Sequence, residues 1–199
     1  TASVTEGGST DTFTVVLDTE PTDTVALDVS SADTGEATVS PSTLLFGVFN
    51  WFTPQTVTIT GANDDVDDGN QDTTITVAVD AGSTDDTIYD AIAAQAVTAT
   101  TVDDDTVGYT LSTTTASVTE GGSTDTFTVV LDTEPTGTVA LDVSSADTGE
   151  ATVSPSTLTF TTANWSTPQT VTVTGVGEDV ADGDQDTTVT VAVDAGSTA

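Results

Sequence analysis

The sequence predicts an all-β protein that contains two tandem copies of one β-sandwich. Apolar residues alternate with polar ones at a period of two in most segments, as they do in strands with one buried face. The segment TASVTEGGSTDTFTVVLDTEPT at 1–22 recurs unchanged at 115–136, and residues 1–85 align with 115–199 with 14 differences. Repetition at this level predicts that the same structural unit occurs twice.

Seven strands are predicted in the first repeat, each bounded by clusters of Gly, Pro, Asp, Ser or Thr. Thr and Val dominate these segments, and both suit a pleated, half-buried surface. No apolar stripe at the helical period occurs in them. The strands are expected, in chain order, at 2–6, 11–18, 23–30, 36–46, 54–61, 73–80 and 94–102.

Seven short antiparallel strands in about 100 residues are typical of an immunoglobulin-like Greek-key sandwich of two sheets. We therefore expect a complete sandwich at 1–105, a linker with a lead-in strand at 106–114, and a second sandwich at 115–199. The second sandwich is expected to be truncated before its last strand, because residues 86–114 have no second copy in the sequence.

The chain carries 33 Asp and Glu residues and no Lys, Arg, His or Cys, with a formal net charge of −33. Self-repulsion of this size opposes a compact state. The composition excludes Ser–His–Asp, Cys–His and lysine Schiff-base catalysis, and it excludes a cationic surface for nucleic acid. No segment is apolar and long enough for membrane insertion. We expect no enzymatic activity, and a carboxylate-pair hydrolase is the one enzymatic alternative.

Strands that alternate in direction are expected to bring acidic residues from four segments to one end of the first sandwich. Oxygen-only ligands of this kind suit Ca²⁺, which takes about six to eight of them, better than Mg²⁺ or softer metals. A solvated acidic face that binds no specific ion is the alternative. The residues concerned are Glu6, Asp33, Glu36, Asn63, Asp64, Asp65, Asp67, Asp68, Asp103, Asp104 and Asp105.

Two segments, SVTEGGSTDTFTVVLDTEPT and ATVSPSTLTFTTANWSTPQTVTVTG, and the acidic loop after them resemble Calx-beta-type, immunoglobulin-like (cadherin-like) tandem repeats of large bacterial extracellular proteins. The resemblance implies a calcium-binding sandwich. Gly177 and Ala181 depart from the pattern, which weakens the implied second site. Transferred by position, the implied ligands are Glu6, Asn63, Asp64, the Val66 carbonyl, Asp68 and Asp103 to Asp105 in repeat one, and Glu120, Glu178, Asp179 and Asp182 in repeat two.

These observations predict a structural function. The leading prediction is a secreted or cell-surface fibre or stalk segment, stiffened by Ca²⁺ at the joints between neighbouring repeats, with self-assembly of copies into filaments as a variant. The alternative is an adhesin module that binds a glycan, ice or a cell-surface partner. Its aromatic candidates are Trp51, Trp165, Tyr89 and Tyr109.

The stretch LFGVFNWF at 45–52 is more apolar than its counterpart TFTTANWS at 159–166. Two interpretations are open at this point. The stretch either enlarges the local core or forms an exposed patch that docks onto a neighbouring chain.

Overall fold

The computed structural model describes residues 1–179 and 183–198. The chain divides into two compact units, one of Thr1–Asp64 with Asp68–Asp104 and one of Asp65–Asp67 with Asp105–Ala199. Both units are all-β, immunoglobulin-like sandwiches, which confirms the predicted fold class. Among the described residues, no helix has the length and apolarity needed to cross a membrane. The proposed limits of the repeats and of their linker stay predictions.

Eight strands form the two sheets of the first unit. One sheet has the order β1-β8-β7-β3-β5, and the other has the order β2-β6-β4. The pairs are antiparallel except that β1 runs parallel to β8. The strands are β1 (Ala2–Thr5), β2 (Thr10–Val15), β3 (Val25–Ser31), β4 (Ala37–Ser40), β5 (Thr43–Phe46), β6 (Gln55–Gly61), β7 (Gln71–Val79) and β8 (Gln95–Val102).

The alternating apolar residues of both sheets meet in one core. Leu44, Phe46, Val57, Ile59 and Ile75 are each no more than 1% exposed. Within a strand the buried residues are two positions apart, as Leu44 and Phe46 or Val57 and Ile59 are, so their side chains lie on the same face of the sheet, as the period of two predicts.

The prediction of one fourth strand at 36–46 was wrong, because these residues contain two strands that lie in different sheets. β4 pairs with β6, and β5 pairs with β3. Pro41 lies between them and has no N–H to donate to a strand ladder. The chain therefore passes from one sheet to the other at this point, while the remaining strands lie within a few residues of their predicted positions.

The connection from β7 to β8 contains a single 3₁₀ turn, Tyr89–Ala91, which strand alternation does not predict. Tyr89 is 7% exposed, and its hydroxyl donates to the Thr19 carbonyl at 2.6 Å. Asp86 is buried and accepts the N–H of Thr22 at 2.7 Å. That N–H, together with the N–H of Ile88, holds the pKa of Asp86 below its ordinary value. Buried polar contacts thus fix this connection onto the first unit.

The second unit has seven strands among its described residues. Its sheets have the orders β12-β14-β10-β9 and β13-β11-β15. Its core is centred on Leu141, Leu158 and Phe160, each no more than 1% exposed. The strands are β9 (Tyr109–Leu111), β10 (Thr124–Leu131), β11 (Val139–Ser145), β12 (Ala151–Ser154), β13 (Thr157–Phe160), β14 (Gln169–Gly175) and β15 (Val189–Val193).

Equivalent segments of the two repeats differ in secondary structure. The sequence TASVT contains β1 in the first unit, whereas the same letters at 115–119 lie outside any strand. Residues 71–74 belong to β7, whereas 185–188 lie outside β15. Both of these first-unit segments pair with β8, and the residues that would correspond to β8 fall beyond position 199. The ladder with β8, and not local propensity, therefore makes them strands.

The apolar stretch at 45–52 is largely exposed. Leu45, Phe49 and Phe52 are 56%, 91% and 61% exposed. The interpretation as an enlarged core was wrong, because β5 is a strand that turns alternate side chains inward. Leu44 and Phe46 take the two inward positions, and both are conserved in kind at the equivalent places of the second repeat.

Candidate metal centre

The candidate site lies where β1 and β8 end together. Because these strands are parallel, their carboxyl ends meet at one edge of the sheet, with Thr5 opposite Val102. The N–H of Glu6 donates to the Val102 carbonyl at 3.1 Å. A side chain on Gly61 would collide with the Thr5 carbonyl, so glycine there lets the end of β1 lie directly against β6. Glu6 is thereby held next to the residues that follow β8.

Three carboxylates gather at this edge. Oxygens of Glu6, Asp104 and the next residue, Asp105, all lie within 4.8 Å of one another. Glu6 is only 5% exposed. Like charges about 4 Å apart repel by roughly 4 kcal/mol at an effective dielectric of 20. The sequence has no Lys, Arg or His to compensate this repulsion, so a cation from solution is the natural counter-charge.

Asn63 adds an amide to the same edge. A Cβ placed on Gly7 would lie 3.5 Å from Asn63 Oδ1 and 3.8 Å from Asp104 Oδ2. The two oxygens therefore flank the turn that follows Glu6, in which Gly7 has a φ of 76°. The amide nitrogen of Asn63 donates to the Asp64 carbonyl at 2.7 Å. This hydrogen bond orients the amide so that Asn63 Oδ1, an atom of the kind that binds Ca²⁺, lies beside Asp104.

A second acidic group forms around Glu36, just before β4. The Glu36 carbonyl accepts the Ala62 N–H at 2.8 Å and the Thr101 hydroxyl at 3.0 Å, which ties this loop to the ends of β6 and β8. Partial burial and the neighbouring charges, that of Asp68 first and that of Asp64 next, raise the pKa of Glu36 above its ordinary value.

Asp103 joins the end of β8 to the loop that precedes β7. Its Oδ2 accepts the N–H of Gly69 at 2.6 Å, and its own N–H donates to Asn70 Oδ1 at 3.2 Å. The acids of the predicted loops in the first unit are therefore neighbours in space. Glu36 belongs with them, although the family pattern does not name it as a ligand.

The raised pKa of Glu36 predicts how the first unit responds to pH without divalent cations. A carboxyl whose pKa is higher in the folded state stabilises that state below the unfolded pKa and loses this contribution as pH rises through the folded pKa. We expect the side-chain NMR titration of Glu36 to have its midpoint above 4.5 in EGTA and to move down when Ca²⁺ is added. Asp68→Asn is expected to lower the midpoint in EGTA. A midpoint at or below 4.5 in EGTA would contradict the arrangement.

The remaining predicted ligands are not part of the three-carboxylate group. Asp65 and Val66 are grouped with the second compact unit, as Asp105 is. Glu120, Glu178 and Asp179 are exposed, and the described residues form no three-carboxylate group around them. Asp182 lies outside the described residues. Among the described residues, the segment before Glu120 belongs to no strand, and the residues that would correspond to β8 fall beyond position 199.

None of the four aromatic residues proposed for an adhesin is exposed. Tyr89 is buried, and Trp51, Trp165 and Tyr109 are half-buried against the cores of their own units. The hydroxyl of Tyr109 donates to the Val191 carbonyl at 2.8 Å. These rings therefore pack against the cores of the two sandwiches.

No protein-family model matches the chain, and no curated protein sequence matches it. Similar solved structures include SSP-19, an MSP-domain protein-like family member of Caenorhabditis elegans, at 17% identity and a TM-score of 0.34, covering 51% of this chain and 92% of that one. Domains 4 and 5 of the S-layer protein SbsC match at 18% identity and a TM-score of 0.40, covering 84% of this chain and 64% of that one.

The CBD12 structure from CALX1.2 matches at 14% identity and a TM-score of 0.38, covering 96% of this chain and 76% of that one. Of the S-layer structure, by contrast, this chain spans less than two thirds. At these identities and TM-scores, the similarities carry no argument about function.

Proposed function

We propose that the chain is a structural segment of an extracellular tandem-repeat protein that binds calcium and is stiffened by it. The observation that carries the proposal is the buried carboxylate of Glu6, held close to two further carboxylates in a chain without cationic side chains. Carboxylate and amide oxygens suit Ca²⁺. The resemblance of the sequence motifs to Calx-beta-type repeats supports both the ion and the extracellular location.

The residues that would hold calcium are Glu6, Asp104 and Asp105, with Asn63 Oδ1 beside them. Bound calcium would supply positive charge and no covalent chemistry, so the role proposed is not enzymatic. Asp104 ends the first unit along the chain, and Asp105 is the next residue. A cation on both would restrain the segment that leads from one repeat to the next. Glu36, Asp64, Asp68 and Asp103 form the neighbouring group that could hold another ion.

Small-angle scattering of the whole chain at physiological salt tests the stiffening. We expect the pair-distance distribution to narrow when Ca²⁺ replaces EGTA, because the charged segment becomes restrained. Glu6→Gln should abolish this change. Glu120→Gln is the matched control, since it occupies the same sequence position in the second repeat but is exposed. Identical distributions in Ca²⁺ and EGTA would contradict the proposal.

The adhesin alternative has one supporting observation, the exposed apolar residues Leu45, Phe49 and Phe52. Exposed apolar patches mark protein–protein or membrane interaction sites, or ligand-binding grooves. A glycan array that retained this chain with high affinity would favour the alternative over the structural role.

A further inference from the structure

The first unit carries an exposed apolar patch between β5 and β6, which consists of Leu45, Val48, Phe49 and Phe52. Val48 is 38% exposed, and Phe49 protrudes furthest, at 91%. The N–H of Gly47 donates to Asn50 Oδ1 at 2.7 Å, and the amide nitrogen of Asn50 donates to the Leu45 carbonyl at 3.1 Å. These hydrogen bonds hold the turn that presents the patch.

The turn forms in the same way without the apolar side chains. In the second unit Asn164 Oδ1 accepts the N–H of Thr161 at 2.6 Å, as Asn50 Oδ1 accepts that of Gly47 in the first. The apolar patch is therefore not needed to build the turn, and its presence calls for another physical reason.

The two repeats differ most at this patch. Five of their 14 differences fall within the eight residues 45–52. The residues of the second repeat that correspond to the patch are exposed as well. They are Thr159, Thr162, Ala163 and Ser166. Small or polar residues thus suffice for the fold at positions where the first repeat exposes larger apolar ones.

The patch has the size of a contact surface. An aromatic side chain buries about 150–250 Å², so the exposed parts of Phe49 and Phe52 alone offer on the order of 300 Å². The largest apolar patch on a typical monomer measures about 300–600 Å² and is often functional. Two such patches placed face to face would bury less than about 1,200 Å² in total, the lower limit of stable complexes. A pair joined by this patch alone is therefore weak.

The charge of the chain indicates which partner fits the patch. Residues 37–63, which include the patch, carry no charge, whereas the whole chain has a net charge of −33. A basic partner would be bound through the carboxylates, and an anionic lipid surface would repel the chain. An uncharged apolar surface fits best, and the same patch on a second copy is such a surface.

Strand β6 separates the patch from the acidic edge. It begins at Gln55, shortly after Phe52, and ends at Gly61, against Thr5. Its seven residues, at about 3.4 Å each, put the two ends roughly 20 Å apart. This distance is more than twice the Debye length of about 8 Å at physiological salt. Two copies in contact through the patch would therefore keep their clustered carboxylates apart.

We propose that the apolar patch joins two copies of this chain face to face, in a weak symmetric dimer. A twofold contact uses the same surface on both copies. The N–H of Leu17 donates to the Trp51 carbonyl at 3.2 Å, so the exposed carboxylate of Asp18 borders the patch. Repulsion between such carboxylates opposes the contact, and salt screens it. The dimer therefore strengthens as the salt concentration rises. The inference goes beyond the proposed function and involves no metal ion.

Sedimentation velocity of the full chain in EGTA, up to millimolar concentration and at low and high NaCl, tests the proposal. We expect a reversible monomer–dimer equilibrium that shifts toward the dimer in high salt. Phe49→Ala combined with Phe52→Ser installs the residues of the second repeat and should weaken the dimer by about tenfold or more. Val107→Ser is the matched control, because Val107 is 71% exposed but belongs to the second unit. It should dimerise as the parent chain does.

The reverse exchange tests whether the patch is sufficient. The substitutions that give the second repeat the same patch are Thr159→Leu, Thr162→Val, Ala163→Phe and Ser166→Phe. Each copy then has two contact surfaces, so the chain should associate more strongly, as a tighter dimer or as larger species. An unchanged association equilibrium would overturn the proposal.

Tryptophan fluorescence reports on the patch itself. The ring of Trp51 lies edge-on to that of Phe52, with their centroids 5.7 Å apart. The chain has two tryptophans, so Trp165→Phe leaves Trp51 as the only one. Its emission should shift to shorter wavelength as the dimer forms, because the contact removes water from the patch. A dimer that forms without this shift uses another surface, and the proposal is then wrong.

Neutral phosphatidylcholine vesicles distinguish a lipid surface from a second copy. The proposal is overturned if the parent chain stays monomeric at millimolar concentration in high salt. If that monomer sediments with the vesicles and the Phe49→Ala, Phe52→Ser variant does not, the patch binds lipid instead. A dimer that the double variant forms as readily as the parent would also contradict the proposal.

Discussion

Calcium at a hundredfold excess over its dissociation constant is expected to stabilise the first unit by about 2.7 kcal/mol. The reason is that the folded state brings Glu6, Asp104 and Asp105 together and the unfolded chain does not. For a domain of this size the gain corresponds to a rise in melting temperature on the order of 10 °C. Differential scanning calorimetry in Ca²⁺ and in EGTA, at equal ionic strength, measures it.

The matched pair Glu6→Gln and Glu120→Gln controls this experiment. Glu6→Gln removes one of the clustered charges, so it is expected to leave the metal-free protein as stable or more stable while removing most of the calcium response. Glu120→Gln changes an exposed residue that has no three-carboxylate group around it among the described residues, and it should leave the response intact. The site would be contradicted if the melting temperature were the same in Ca²⁺ and in EGTA. It would also be contradicted if Glu6→Gln kept the full rise in melting temperature on addition of Ca²⁺.

Replacement of Phe46 by alanine is expected to destabilise the first unit by about 3–5 kcal/mol. Phe46 is 1% exposed at the centre of the core, so the change removes buried apolar area and leaves a cavity. Most domains have only about 5–15 kcal/mol of stability, and the loss should be plain in a denaturant titration followed by tryptophan fluorescence.

Phe49→Ala is the internal control, since it makes the same chemical change three residues away. Phe49 is 91% exposed, and exposed substitutions usually change stability by less than about 0.5 kcal/mol. If Phe49→Ala destabilised the unit as much as Phe46→Ala, the assignment of inward and outward positions around β5 would be wrong. If neither variant changed the free energy of unfolding, the assignment of Phe46 to the core would be wrong.

Much of the fold follows from local pattern. Alternation in TVALDVS and QTVTIT is enough to place β3 and β6, because a strand with one buried face must repeat every two residues. The division of the predicted fourth strand was not foreseen, although Pro41 marks the point at which it occurs. The 3₁₀ turn at Tyr89 was also missed, because its stability comes from distant partners such as Thr19.

The candidate site was predictable in part. Alternating strand direction places Glu36, Asp64 and Asp103 at one end, and the structure has them as neighbours. The topological argument thus placed Glu36 in the acidic cluster, whereas the family resemblance did not name it as a ligand. The ligands that the resemblance implies for the second repeat stay predictions, since Asp182 lies outside the described residues and the counterparts of Asp103 to Asp105 fall beyond position 199.

The sequence by itself determined that this is an all-β chain of two sandwiches whose acids cannot be neutralised by its own side chains. The tertiary structure decided where the glutamate of TASVTE lies in the first unit. In the first unit the segment lies beside β8, becomes a strand and delivers Glu6, 5% exposed, to Asp104 and Asp105. In the second unit the same letters lie outside any strand and Glu120 is exposed, because the residues that would correspond to β8 fall beyond position 199. A segment becomes a strand by pairing with a neighbouring strand, so the sequence of one segment does not determine by itself whether that segment is a strand.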